Sequence, residues 1–288
     1  MPKDELKKLL LALRYPIERS SSNYSSTNSS KGALLAEAKA LFSYLAKDNS
    51  LESSRRAVIQ DNLFAKRTYH TRKRCWDLLH SRYFPSYPET SLDRNSKEHS
   101  EQIHPIIEIF RNQSSETLKR NVLYYHFVTS DLFSYDTTVV LIYDLYRRGI
   151  INIAHRDVHE FLNNETNAHP EISFWSPQTR RSLVSHYLSA MRDFGVLEGK
   201  VKKKIRRPTL EEDLLLYIVT YLRDCGKPSR DIVRSHDFRL FLLSQQEVEA
   251  MLTEVQLKGR IRFQRSGHIV SLELPWGSIL EYIKNIGQ

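Results

Sequence analysis

The sequence predicts a mainly α protein: a helical N-terminal unit of helix-turn-helix type, then two winged-helix-like units with short β-hairpins. Three observations carry that expectation. Apolar residues recur at spacings of three and four through most of the chain, one face of a helix each time. Twice a helical run stops at a glycine, Gly195 and then Gly259, and leads into a short basic hairpin pattern. Segments rich in Ser, Pro and charge separate the runs and divide the chain into 1–95, 96–208 and 209–288.

The first unit opens with MPKDELKKLLLALRYP, an amphipathic helix stopped before Pro16, with too short an apolar run for a signal peptide. Residues 20–31 are almost all Ser, Asn, Thr and Tyr, a linker by composition. Helices are expected over Ala33–Ala46 and Leu51–Gln60, the second with Ser53 and Ser54 as caps. A turn at Asp61–Phe64 leads to a third, basic helix. From Lys66 to Tyr83, six bases (Lys66, Arg67, Arg72, Lys73, Arg74, Arg82) stand against one acid, Asp77. Trp76, Leu79 and Tyr83 form its apolar stripe. The first domain boundary falls in Tyr83–Asn95.

In the second unit Pro105–Phe110, Thr117–Val128 and Thr137–Arg148 read as amphipathic helices, the last stopped by Gly149. Gly149–Ala154 has the character of a short strand, and Asp157–Asn163 is helical. Ser176-Pro177 places an N-cap before Pro at the first helical position. The helix it starts, Gln178–Phe194, turns Leu183, Tyr187, Leu188 and Met191 inward. Two short strands follow around Glu198-Gly199.

The third unit repeats that order without a sequence repeat. Helices are expected over Glu211–Cys225, Ile232–Leu243 and Ser244–Lys258, the last with a Ser244/Glu247 capping box. A hairpin over Ile261–Leu274 turns at Ser266-Gly267, and Trp276–Ile286 closes the chain as a short helix.

Composition narrows the function. A formal charge of +9 over 288 residues favours a polyanionic partner. Only 9 glycines, with no G-x-G-x-x-G, Walker A or G-x-S-x-G motif, argue against a phosphate loop or hydrolase. The two cysteines, Cys75 and Cys225, form no C-x-x-C pair, and they read as inert core thiols of a cytoplasmic protein. No apolar run is long enough to span a bilayer. His155 and His159 share a helix face, but Arg156 stands where a zincin has Glu and no third ligand is evident. Asp193 with Glu198-x-Lys200 resembles nuclease carboxylates only by a common triplet. No metal, cofactor, small-molecule substrate or catalytic residue is therefore expected.

Four clusters are candidates for phosphate contact. The first is Lys66, Arg67, Arg72, Lys73 and Arg74 on the basic helix. The second is Gln178, Thr179, Arg180 and Arg181, at a helix N-terminal turn where side chains reach base edges or phosphates. The third is the densest, Lys200, Lys202, Lys203, Lys204, Arg206 and Arg207, six bases in eight residues. There Val201 and Ile205 are expected inward, with Lys202, Lys204 and Arg206 outward. The fourth is the last hairpin, Arg260, Arg262 and Arg265. The helix before that hairpin carries Glu247, Glu249 and Glu254, which repel DNA, so this unit suits a protein partner equally well.

The front of the chain also resembles the N-terminal signature of the BrxA proteins, accessory components of BREX phage-defence systems. The resemblance rests on SSNYSSTNSSKGALLAEAKAL (Ser21–Leu41), followed by DNLFAKRTYHTRKRCWDLLHSRYF, about a quarter of the chain. Asn62, Leu63 and Phe64 occupy an Asn-Leu-Phe-like step. Thr68, Thr71, Lys73 and Arg74 lie in the Ser/Thr-containing basic helix, which ends at Arg82 and Tyr83. The chain departs from the pattern at Tyr69 and His70, where small polar residues are expected. The resemblance implies partial order in the Ser/Thr-rich lead. It also implies a non-catalytic, helical accessory protein that binds double-stranded DNA and meets other BREX proteins. A protein-interaction scaffold and an RNA-binding helical protein are the alternatives.

Overall fold

The computed structural model describes residues 23–47, 49–84, 104–112 and 114–286. The expected helix before Pro16 and the first domain boundary lie outside them, apart from Tyr83 and Phe84. The fold is mainly helical, with two small antiparallel sheets.

The Ser/Thr-rich lead is not a free linker from Asn23 onward. Tyr24 is buried, and its ring stacks on His169 with centroids 3.7 Å apart. Its amide donates to Glu171 Oε1 at 2.6 Å and its hydroxyl to Asp136 Oδ2 at 3.2 Å. A single 3-10 turn, Thr27–Ser29, then lies against a later helix. Composition alone misses this order, because the partners that hold the segment lie more than a hundred residues away.

Helices α1 (Leu35–Leu45), α2 (Leu51–Ile59) and α3 (Tyr69–Tyr83) follow. The cap of α2 is Ser50, which accepts from the Ser53 amide at 3.0 Å. Ser53 and Ser54 instead turn their hydroxyls back onto the Ser50 carbonyl. Thr68 caps α3, accepting from the Thr71 amide at 3.2 Å. Trp76, Leu79 and Tyr83 are buried as the spacing predicts. Arg82 is buried as well, at 4% exposure. It donates to Asn28 Oδ1 at 2.6 Å and to the carbonyls of Ala33 and Lys31 at 3.2 and 3.3 Å. Its guanidinium sits 4.8 Å from the centroid of the Phe127 ring. Burial pushes the Arg82 pKa down, against the pull of nearby Tyr83 and Asp131. This base builds the core rather than the surface.

Helices α4 (Pro105–Arg111), α5 (Glu116–Thr129) and α6 (Leu132–Asp136) lead into a π-helical stretch, Thr137–Ile142, and then α7 (Tyr143–Arg147). The hydroxyls of Thr137 and Thr138 donate to the carbonyls of Phe133 and Ser134 at 2.7 Å each. Two threonines competing for helical carbonyls accompany the wider winding. Gly149, at φ +73°, closes α7: its own amide bonds the Tyr146 carbonyl and the Ile150 amide bonds that of Leu145.

Next come β1 (Asn152–Ile153), α8 (His155–Asn164), α9 (Pro177–Asp193), β2 (Leu197–Glu198) and β3 (Lys203–Ile205). Ser176 caps α9, with Pro177 at its first position. The sheet order is β1-β3-β2, all antiparallel, with Asn152 opposite Lys204 and Leu197 opposite Ile205. The strand before the two helices thus zips onto the last strand of the hairpin.

The closing region contains α10 (Glu212–Asp224), α11 (Ser229–Val233), α12 (Gln245–Leu257), β4 (Arg262–Ser266), β5 (Ile269–Glu273) and α13 (Ile279–Lys284). The capping box of Ser244 and Glu247 is present. The expected helix Ile232–Leu243 is instead split. α11 ends at Val233, and a 3-10 segment, His236–Phe241, restarts under Ser235 and stops at Leu242, φ +58°. Ser266 pairs with Ile269, so the hairpin turns at Gly267-His268, one residue later than expected.

A continuous apolar core runs from Tyr24 to Ile283. Each fully buried Leu, Ile or Phe in it contributes about 1.5–3 kcal/mol. Some polar atoms inside are matched and others, such as Trp76 Nε1 and Asn121 Oδ1, are not; Tyr125 and Tyr135 both donate to Asp237, at 2.7 Å each. That pairing locks α5 and α6 to the 3-10 segment of the closing region.

Candidate nucleic-acid interface

The β2–β3 turn is built to project. Gly199 has φ +94°, and a Cβ there would lie 2.1 Å from the Lys202 carbonyl oxygen, so only glycine fits. Lys203 Nζ donates to the Lys200 carbonyl at 2.8 Å and ties the turn across. Ile205 is buried and fixes the strand phase, which sends Lys204 and Arg206 outward and leaves Lys203 half-buried. Val201 was expected inward but is 93% exposed. β3 begins only at Lys203, so strand alternation does not reach Val201. Arg206 is ion-paired with Glu198, which holds that carboxyl below its usual range. Arg207 donates to Glu247 at 2.8 Å. Among the described residues, Lys200, Lys202 and Lys204 have no acid within ion-pair distance.

The helix before this hairpin, α9, has an exposed polar side. Gln178 is exposed and donates to Ser182 Oγ at 3.3 Å. Arg181 is exposed, with Nε 3.4 Å from the Pro177 carbonyl that it donates to. Thr179 shares a hydrogen bond with Ser176, and Arg180 is half-buried with a buried Nε that has no hydrogen-bond partner. His155 of α8 lies 3.1 Å from Ser185 Oγ, so α8 flanks the same side of α9. The His155 and His159 rings are 6.2 Å apart, and no group of three or more metal-ligating side chains exists among the described residues.

The bases around α3 divide in role. Lys66 is ion-paired with Glu37, whose hydrogen bond holds the lysine pKa up against burial. Arg74 reaches Ser30 Oγ at 3.0 Å and pins the N-terminal lead. Lys73 pairs with Asp77 at 3.1 Å. Arg72 donates to the Gln60 carbonyl at 3.2 Å, and neither Arg72 nor the exposed Arg67 has an ion-pair partner among the described residues. The sequence reading passed over Arg55 and Arg56 of α2, both exposed and without an acid partner among the described residues. Helical phase could have found them, since Ser54, Ala57 and Val58 turn inward on either side.

The last hairpin carries its own counter-charges. Arg260 donates to Glu212 at 2.7 Å and Asp213 at 3.0 Å, Arg262 lies 3.6 Å from Glu273, and Lys258 pairs with Glu212 at 2.6 Å. Arg265 is ion-paired with Glu249. Burial opposes ionisation of Glu212, but Lys258 and Arg260 outweigh it and hold the carboxyl below the usual range. Cys225, expected in the core, is exposed, whereas Cys75 is buried.

These features define a mainly helical protein whose middle region is a strand–helix–helix–hairpin unit with a projecting basic turn. The chain belongs to the BrxA family, whose family model matches residues 22–220. Membership implies an accessory role in BREX defence. The matched span ends within α10 and so takes in the basic turn but not the last hairpin. The chain is also similar to a crystal structure of an uncharacterized protein from Magnetospirillum magneticum. The identity is 12%, the match covers 77% of this chain and 100% of that one, and the TM-score is 0.57, a likeness of fold. No curated protein matches the chain. Among the described residues, no helix is long and apolar enough to cross a membrane.

Proposed function

We propose that this protein binds double-stranded DNA, without catalysing a reaction on it, as a cytoplasmic accessory component of a BREX-type defence system. The observation that carries the reading is the β2–β3 turn, on which Lys200, Lys202 and Lys204 have no ion-pair partner among the described residues. The order α7–β1–α8–α9–β2–β3, with β1 on β3, supports a winged-helix reading of this region. In that arrangement α9 approaches a groove and the turn lies along the backbone. Gln178, Arg181 and the short Ser182 and Ser185 allow close approach, while the lysines supply affinity by counterion release. Base contacts are few, so sequence preference is weak. A gel-shift series with duplex DNA tests this. If about six phosphates are neutralised, affinity falls roughly a thousandfold between about 50 and 200 mM salt. A flat salt response, or no binding at low salt, overturns the reading.

A specific observation supports a protein-docking role for the last hairpin alone. Its arginines are compensated, while Ile269 within it and Leu257 at the end of α12 are 75% and 80% exposed. Exposed large apolar side chains fit a protein partner better than a phosphate backbone.

A further inference from the structure

We infer that the depression between α2 and the start of α3 is a nucleotide site, in which Tyr69 stacks an unpaired base and Arg55 and Arg56 take its phosphate.

The observations are independent of the turn and of duplex binding. Glu52, Arg55, Arg56, Ile59, Gln60 and Tyr69, with Ser50 and Ser53, line a depression of about 410 Å³. That volume lies within the range of small-ligand sites. Tyr69 is 59% exposed, whereas most large aromatics of this chain are buried. The backbone that carries the ring is nonetheless fixed. Tyr69 is the first residue of α3, fixed by the Thr68 cap, and Arg72 bonds the Gln60 carbonyl and clamps α3 to the end of α2. Arg55 and Arg56 are exposed with no acid within ion-pair distance among the described residues. Two guanidiniums against the single carboxylate of Glu52 leave the depression net positive.

An aromatic face, cations on one side, an apolar floor at Ile59 and an amide at Gln60 match the parts of a nucleotide. The face takes a base, the cations a phosphate, and the amide a base edge. An acidic peptide would use the arginines but leave the Tyr69 face idle.

The test uses the full chain and three probes: a single-stranded decamer of deoxyadenosine, adenosine 5′-monophosphate and a blunt duplex. The decamer is expected to bind, and Tyr69→Ala to weaken it about tenfold while Tyr69→Phe retains it. Arg55→Gln with Arg56→Gln should lower the salt slope for the decamer by about 0.7, the one phosphate that the pair would hold. Binding of the monophosphate with the same Tyr69 dependence would make a free nucleotide the source. Binding of the decamer alone would make it a strand. Unchanged melting temperature for Tyr69→Ala separates loss of the site from loss of the fold. The inference is overturned if Tyr69→Ala binds decamer and monophosphate as wild type does. It is equally overturned if an oligoglutamate peptide binds through Arg55 and Arg56 while neither nucleotide probe binds. Duplex affinity unchanged by Tyr69→Ala would leave the duplex reading standing whichever way the site falls.

Discussion

The two hairpins of this molecule follow similar helices and differ both in how many bases they carry, six from Lys200 to Arg207 against three from Arg260 to Arg265, and in what surrounds those bases. In β2–β3, Lys200, Lys202 and Lys204 project from a glycine-dependent turn with no acid within ion-pair distance among the described residues, although Glu198 stands across the ladder from Lys204. In β4–β5, Arg260, Arg262 and Arg265 each meet a carboxylate supplied by α10, α12 or the opposite strand. A base held by its own protein's acid must give up that pair before it can take a phosphate, and the exchange gains little. The lesson is that a count of bases describes composition, while the pattern of internal partners describes the field a ligand meets.

The strongest way to break this comparison is to reverse the free charges. Lys200→Glu, Lys202→Glu and Lys204→Glu together should weaken duplex binding by about a hundredfold or more at low salt. The fold should be intact by circular dichroism, because exposed substitutions cost little. Wild-type affinity in the triple variant would remove the turn from the interface.

A second test concerns bases that only look free in the sequence. Arg82→Ala deletes a buried guanidinium that satisfies Asn28 and two carbonyls. Urea unfolding should show a loss of about 3 kcal/mol. A stability change under about 0.5 kcal/mol would return Arg82 to the surface set.

Gly199→Ala sharpens the geometric half of the comparison. The added Cβ meets the Lys202 oxygen in a left-handed backbone. The turn should open at a cost of about 1–3 kcal/mol, and duplex binding should weaken although no charge is lost. Unaltered binding would show that the lysines act without a defined turn.

The smallest effect is expected at the last hairpin. Arg262→Gln with Arg265→Gln should leave duplex affinity within about twofold, because paired arginines contribute little. Glu249→Gln, which releases Arg265, should tighten low-salt binding slightly. A tenfold loss in the first variant would mean that β4–β5 contacts DNA after all.

Much of the fold was legible because its signals are local. Ser176-Pro177 starts a helix, Ser244 with Glu247 caps one, and Gly149, Gly195 and Gly259 end three, all within a few residues of their effects. What the sequence concealed depends on distant partners. The order of the Tyr24 segment rests on Asp136 and Glu171, and the burial of Arg82 on Asn28 and Phe127. The neutralisation of Arg207 and Arg260 rests on Glu247 and Glu212. The candidate site was therefore legible as a set of bases, but not as the smaller set whose charge is free. Val201 shows the same limit at short range, since one turn residue before β3 escapes the alternation that predicts its neighbours.

The most direct test of the central claim is the salt slope of duplex binding, measured side by side for two neutral variants. Lys200→Gln, Lys202→Gln and Lys204→Gln should reduce the slope by about 2.7, three phosphates at about 0.9 each. Arg262→Gln with Arg265→Gln should leave it unchanged. Equal reductions in slope per base removed from the two hairpins would contradict the account, because internal pairing would then have no bearing on which bases meet DNA.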